Sequence, residues 1–358
     1  MRLASLPEGG SPTFDATLRR GPWGGFRLTL WLHGLGHFHP ENELTNRFLE
    51  ELEIGTNDQW ILERVGIRSR RTCLPLDYIR ETRNRDIRAA GEATLYTTGE
   101  LGARAAELAI ARAGIEREQI GLVICGSSAP DFLSPADACN VARRLGVEVP
   151  ALDVNSACTS FLAGIHLLFL MDPAKLPDFV LLVAPDSLTK TVDYSDRAAA
   201  VLWGDAAAAA VISTRVPGRA RVLGTTLDSR PSGGEKVVVP RTGWFAQDGR
   251  TVQAFAIRQT IGCFERLRAA HAREDRPVHF VGHQANLRML ENVCRRCEIP
   301  PERHHTNVEW YGNTGAASSA SVLSMNWEKW QPRDDVAVVG VGAGLTWASY
   351  WLGFGDSA

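Results

Sequence analysis

Cys158 stands in DVNSACTSF, between a run that reads as a strand and an apolar run that reads as a helix. A thiol at a helix N-terminus faces unpaired N–H groups and the positive end of the helix dipole. Both favour the thiolate, which is the nucleophile. A small buried core residue is the bland alternative. His283 follows a strand-like run in VGHQAN, at the carboxyl end where open α/β sheets place their sites. Asn313 opens a second apolar helix in YGNTGAAS. Alone, these two read as a turn histidine and a capping asparagine. Together the chain order is Cys…His…Asn, an order that papain-like cysteine hydrolases share, so spacing does not decide. Context does: the C-G-S/A-C-W/Y signature of those enzymes is absent, and this cysteine opens a buried helix deep in the chain.

GVGAGLTW, with Gly340, Gly342 and Gly344, follows the last strand-like run. Too little chain follows for a dinucleotide fold. A glycine turn could instead aim an N–H at a developing oxyanion, or simply pack tightly. Cys294 and Cys297 form a CxxC, but no second pair completes a zinc site, so no metal is expected. His33, His37 and His39 have no thiol or carboxylate in view and read as a solvated loop. Arg288, Arg295 and Arg296 fall on a helical stretch, either a solvated face or a dock for an acidic partner.

The elements that must position these residues alternate. Strand-like runs are Gly121–Cys125, Ala151–Val154, Phe179–Val183, Ala207–Ile212, Val278–Val281 and Val336–Val341. They are short, continuous and rich in Val, Ile and Leu, as strands covered on both faces are. The class is α/β. Strands recur at similar intervals in each half, with a middle strand of the second half expected near Thr306–Val308. Each middle strand leads into a helix without a charged face, TSFLAGIHLLFLM and TGAASSASVLSM, which should be buried on all sides. That repetition predicts a pseudo-duplicated fold. The polar stretch 214–250 reads as the joint between halves.

Composition agrees with a globular chain. There are 358 residues, 39 basic and 41 acidic, for a net charge of −2. No basic excess points to nucleic acid, and no apolar run reaches the roughly 20 residues of a membrane span. Seven scattered cysteines suggest a reducing, cytoplasmic setting without a disulfide framework. Residues 1–26 read as a flexible leader without a secretory signal, 27–214 as the half carrying the cysteine, and 215–358 as the half carrying His and Asn.

Taken in order, DVNSACTSF, GHQANLRM, YGNTGAAS and GVGAGLTW, with NDQWILERVGIRSR and DYSDRAAAVLWGDAAAA, resemble the thiolase-fold condensing enzymes, most closely the β-ketoacyl-acyl-carrier-protein synthase III family. The resemblance covers roughly Arg27 to Gly353. It implies a five-layered αβαβα fold of two similar halves, usually a homodimer. It implies that Cys158 takes an acyl group from coenzyme A, and that His283 and Asn313 hold a malonyl thioester carbonyl as carbon dioxide leaves. The N–H groups of Cys158 and Ala343 would form the second oxyanion hole, with Ala343 standing where glycine is usual. Trp60 and Arg197 match the pair that sandwiches the adenine of coenzyme A, and Arg64 a phosphate contact. Arg288 and Arg295, with neighbouring Arg296, match a face that docks an acidic carrier protein. Malonyl-carrier protein or malonyl-CoA would be the second substrate. No cofactor is implied beyond these thioesters.

Two departures stand out. Ser134 precedes Pro135 where the family has a phenylalanine at the dimer-facing end of the acyl pocket. An enlarged pocket and a primer longer than acetyl are expected. A charged insertion covers about residues 74–98, with no role assigned. Other readings are acyl transfer to an alcohol or amine, head-to-head condensation with Asp131 or Asp137 as base, a hydrolase, and a non-catalytic binding module. The complete Cys, His and Asn set favours decarboxylating condensation.

Overall fold

The computed structural model describes residues 29–355, so the leader expected at 1–26 lies outside the described residues. Nine strands form one sheet in the order Val278–Gly282, Asp335–Gly342, Thr346–Phe354, Ala220–Ser229, Leu30–Phe38, Ala206–Ser213, Phe179–Asp186, Ile120–Cys125 and Ala151–Asp153.

The pairing pattern runs twice. Ile120–Cys125 lies parallel to Ala151–Asp153 and to Phe179–Asp186, and the next two pairings outward are antiparallel. In the other half Val278–Gly282 is parallel to Asp335–Gly342, and again two antiparallel pairings follow. The halves meet where Leu30–Phe38 pairs antiparallel with Ala220–Ser229.

Alternation along the strands sorts side chains into layers. Leu122, Ile124 and Leu182 of one half, and Val281, Val336 and Val338 of the other, share one core with the helices Ser160–Leu170 and Ser318–Met325. The opposite faces pack outward. Val123 and Leu181 meet the helices Thr98–Ala113 and Asp137–Leu145. Phe280 and Val339 meet Gly249–His271 and Leu287–Cys297. The result is helix, sheet, helix, sheet, helix. The two central helices have no charged face because both pack into the core, although Leu167 and Leu170 of the first emerge at the surface instead of being buried on all sides as expected.

Gly36 lets the helix Thr98–Ala113 lie against its strand. A Cβ there would come within 1.9 Å of the Ala105 carbonyl oxygen.

Three expectations need correction. The stretch 214–250 is not only a joint, since Ala220–Ser229 is a central strand. Its polar and glycine positions hid the alternation, and Gly224 is the one that His271 crowds. Near Thr306–Val308 no strand forms. A single parallel bridge, Phe280 to His304, stands in its place. There Gln284 Oε1 accepts from the N–H of Asn307 and Val308 and starts a helical turn instead. The histidines 33 and 37 lie in a strand rather than a solvated loop, and 39 follows directly. His33 bonds to the Val216 carbonyl, His37 to Ser324, and His39 stacks on Tyr311.

The insertion forms two short helices, Leu76–Thr82 and Ile87–Ala93. Between them Asn84 is fully buried and donates to the carbonyls of Lys190 and Val192, so the insertion is fastened over that loop. Among the described residues no helix is long and apolar enough to cross a membrane.

Candidate active site

The turn that carries Cys158 is built from its own side chains. Asn155 Oδ1 accepts from the N–H of Ala157, and Ser160 Oγ accepts from the N–H of Ser156 while donating to the Ala157 carbonyl. Ala157 sits at φ 48°, in the left-handed region that non-glycine residues avoid. The tight turn Ala157–Thr159 runs straight into the helix Ser160–Leu170. Cys158 is therefore at the helix entrance, as expected, and it is buried.

Its protonation state is not as expected. Burial pushes the thiol up to about 12, and the neighbouring Asp186 carboxylate adds to this. The Ser128 hydroxyl and the Cys158 N–H favour the thiolate but are outweighed. A helix end contributes at most about 2 kcal/mol, less than the cost of an uncompensated ion out of water.

His283 follows the strand Val278–Gly282, and its N–H donates to the Val339 carbonyl. Its Nδ1 lies 2.7 Å from Ser318 Oγ. Burial brings the imidazole down to about 4, so it is neutral at ordinary pH. Asn313 is fixed through its backbone to Leu202 and Gly204. Its Oδ1 accepts from the Gly315 N–H at 3.0 Å, which leaves Nδ2 as the group that donates outward.

Asp186 joins these segments. Its carboxylate accepts from the N–H of Ala316, just beyond Asn313, and from Ser127 and Ser128 on the other side. Asp186 thus ties the Ser127–Ser128 loop to the segment just after Asn313, and Ser318, farther along that segment, meets His283.

The glycine turn closes the site. A Cβ on Gly342 would lie 3.1 Å from the Cys158 nitrogen. A side chain there would press the cysteine turn back by a few tenths of an ångström, and the Ala343 amide comes next. Thr346 Oγ1 donates to the Ala343 carbonyl and pairs with Thr159 Oγ1, locking turn to turn. Ala343 lies outside the positive-φ set, whereas Gly344 is at φ 127°. Alanine is thus tolerated one position before the conformation that demands glycine.

Two guanidiniums stand over the Trp60 ring, with Arg64 Cζ at 4.8 Å and Arg197 Cζ at 5.0 Å from the ring centroid. Arg288 is partly engaged: it donates to the Leu62 carbonyl and pairs with Glu291. Arg295 and Arg296 lie in the last turn of the helix, exposed and without an ion pair among the described residues. A cleft of about 320 Å³ opens beside Arg288, lined by Leu62, Arg68 and the exposed Trp310.

Ser134 is not in this site. It is exposed on a surface loop with Phe132 and Leu133, and the loop is pinned by Asp131, which takes two bonds from Thr98 and an ion pair from Lys190. Asp137 accepts from Thr98 and is buried. Cys294 and Cys297 face the core, unpaired. Sequence reasoning missed Ser128 and Asp186, which are ordinary residues with no motif of their own, and gave no role to Ser318, the last residue of YGNTGAAS.

Comparison with known proteins shows what the chain is similar to. Two family models match: 3-oxoacyl-[acyl-carrier-protein] synthase III over residues 152–231 and the C-terminal part of the same enzyme over 267–354. The β-ketoacyl-[acyl-carrier-protein] synthase III of Geobacillus kaustophilus is 34% identical, over 90% of this chain and 98% of its own. Among solved structures, the 3-oxoacyl-[acyl-carrier-protein] synthase III of Aquifex aeolicus gives a TM-score of 0.80 at 28% identity, covering 91% of this chain and 100% of its own. The enzyme of the same name from Pseudomonas aeruginosa gives 0.79 at 31%, covering 93% and 100%.

Proposed function

The chain belongs to the β-ketoacyl-acyl-carrier-protein synthase III family, and we propose that it condenses an acyl-CoA primer with a malonyl thioester, with loss of carbon dioxide. Cys158 attacks the primer thioester and holds the acyl group while coenzyme A leaves. The malonyl thioester carbonyl then sits against His283 and Asn313. As carbon dioxide departs, the enolate oxygen is met by two neutral donors. The carbanion attacks the acyl-Cys158 carbonyl, whose oxyanion is received by the N–H groups of Cys158 and Ala343.

The observation that carries this reading is the donor pair. With the Ser318 hydroxyl donating to Nδ1, neutral His283 carries its proton on Nε2, and Asn313 has its oxygen occupied, so both present N–H groups. Donors preset where charge develops are worth about 100- to 1000-fold each. Transfer to an alcohol or amine has no second carbonyl that needs them. Head-to-head condensation would need a base, and Asp131 and Asp137 are both already engaged.

Trp60, Arg64 and Arg197 would receive coenzyme A, and Arg288, Arg295 and Arg296 the acidic carrier. The edge strand Ala151–Asp153, with Leu152 exposed, and the exposed Phe132 and Leu133 support a homodimer. Ser134 would then act in the partner subunit's acyl pocket, where loss of an aromatic wall suits a primer longer or bulkier than acetyl. Seven cysteines without a disulfide support a reducing cytoplasm.

The test supplies acyl-CoA with malonyl-carrier protein and, separately, with malonyl-CoA. Released carbon dioxide and a chain two carbons longer are expected. Acyl transfer without decarboxylation would overturn the reading. Acetyl-CoA outcompeting octanoyl-CoA in acylation of Cys158 would overturn the longer primer.

A further inference from the structure

Arg70 lies on the strand Ser69–Thr72 and is fully buried, yet its guanidinium makes no ion pair among the described residues. It directs its donors to two uncharged oxygens instead. Nε and Nη2 donate to the Val201 carbonyl at 3.1 and 2.5 Å, and Nη1 donates to Asn46 Oδ1 at 2.5 Å. Asn46 is buried too, and its amide donates in turn to Asp58 Oδ1 and to the Ile67 carbonyl, both at 2.8 Å. Asp58 is the first residue of the helix Asp58–Arg64, so one end of the guanidinium is anchored there through Asn46.

The other end grips the segment that holds Asn313. Val201 follows the helix Arg197–Ala200 and leads into Leu202, Trp203 and Gly204. The Leu202 carbonyl accepts from the Asn313 N–H at 2.8 Å, and the Asn313 carbonyl accepts from the Gly204 N–H at 3.0 Å, so Trp203 and Asn313 form a parallel bridge. The stem of Arg70 lies against both sides of that bridge. A Cβ on Gly312 would come within 2.7 Å of Arg70 Cγ, and one on Gly204 within 3.4 Å of Arg70 Cβ. Gly312, at φ 67°, is the residue just before Asn313. None of these contacts touches the cysteine turn Ala157–Thr159.

Resting on the condensing reading above, we propose that Arg70 is a positioning residue that holds the Val201–Gly204 segment and, through its bridge, fixes Asn313 for its work as a donor. A planar guanidinium suits this task. It reaches both oxygens in fixed directions, whereas a lysine ammonium is a point charge on a flexible stem. Burial lowers Arg70 to about 9, so it stays charged at neutral pH and its bonds remain charge-assisted. A role confined to folding would weaken both half-reactions alike. A role at Asn313 weakens decarboxylation and spares acylation, since the contacts of Arg70 end at the bridge.

Arg70→Lys keeps the charge and loses the fork, and it is the test. Carbon dioxide release from enzyme already acylated should fall about tenfold, with acylation of Cys158 by acyl-CoA within about twofold of native. In an Asn313→Ala background the same substitution should cost nothing further in decarboxylation, because the group it positions is gone. A loss that persists in that background, or an equal loss of both half-reactions, would overturn the proposal. Amide hydrogen exchange forms a separate arm that needs no substrate. Peptides over 201–205 and 311–316 should exchange about tenfold faster in Arg70→Lys, and the peptide over 155–160 at the native rate. Native exchange in all three would overturn the proposal as well. Asn46→Ala removes one bond of the guanidinium and should show the same pattern at about threefold, which decides the matter if the lysine protein does not fold. A native protein that releases no carbon dioxide, while Arg70→Lys loosens only the Asn313 segments, would uphold the positioning and sink the condensing reading.

Discussion

His283 Nδ1 meets Ser318 Oγ at 2.7 Å, on the helix that starts just after Asn313. One side chain of the donor pair is thus oriented by the segment that carries the other. Removing the hydroxyl frees the imidazole to rotate and exchange tautomers. Ser318→Ala should slow decarboxylation about tenfold, the scale of one hydrogen bond, and leave acylation of Cys158 unchanged. Carbon dioxide release against acyl-adduct formation reads the split.

The two half-reactions should separate at the other residues as well. Cys158→Ala should give no acyl adduct. Asn313→Ala should acylate normally and lose decarboxylation by about 100- to 1000-fold. Equal loss of both steps in Asn313→Ala would contradict the assigned roles.

Burial holds His283 near 4 instead of 6.5, so it stays neutral where a free histidine would charge. Decarboxylation by enzyme already acylated should therefore be flat from about pH 5 to 8. Stability carries the matching sign. Between the two values the unfolded chain binds a proton that the folded chain does not. The His283 contribution is complete above 6.5 and is lost as the pH falls toward about 4. Thermal melts of native protein and His283→Gln across that range check it: the native curve should fall more steeply.

Trp60 offers its ring to two arginines, Arg64 of its own helix and Arg197 of the helix Arg197–Ala200. Trp60→Ala should raise KM for acyl-CoA roughly tenfold, as expected when a stacking contact of about 1–2 kcal/mol is lost, with kcat nearly unchanged. An unaltered KM would remove Trp60 from the coenzyme A site.

Gly36→Ala places a Cβ 1.9 Å from the Ala105 carbonyl oxygen, against helix backbone that cannot step aside. A loss of about 1–3 kcal/mol is expected, visible as a lower denaturation midpoint.

Much of this was legible in the chain. Local order around Cys158, His283 and Asn313 marked them as candidates for the reaction, because each sits in a turn whose neighbours are close in sequence. The two helices without a charged face predicted the buried central layer, since a helix can be apolar all round only when both sides are core. Less was legible where polar residues are interior. The central strand Ala220–Ser229 looked like a linker because its arginine, glycine and aspartate positions broke the apolar run.

What the sequence by itself determined was the set of candidate reacting residues and the twofold plan of strands and helices that presents them. What only the tertiary structure decided was their state. A helix entrance alone argued for a thiolate at Cys158, but desolvation by the surrounding core and the carboxylate of Asp186 reversed that balance. Ser128, Asp186 and Ser318 acquired their places only when distant segments met. Ser134 emerged on an exposed loop, outside this chain's own site. The physical reason is one of range. Turn chemistry and hydrophobic period are written in near neighbours, whereas solvation and through-space partners depend on residues far along the chain, 35 positions away for His283 and Ser318, 58 for Ser128 and Asp186 and 130 for Ala316 and Asp186.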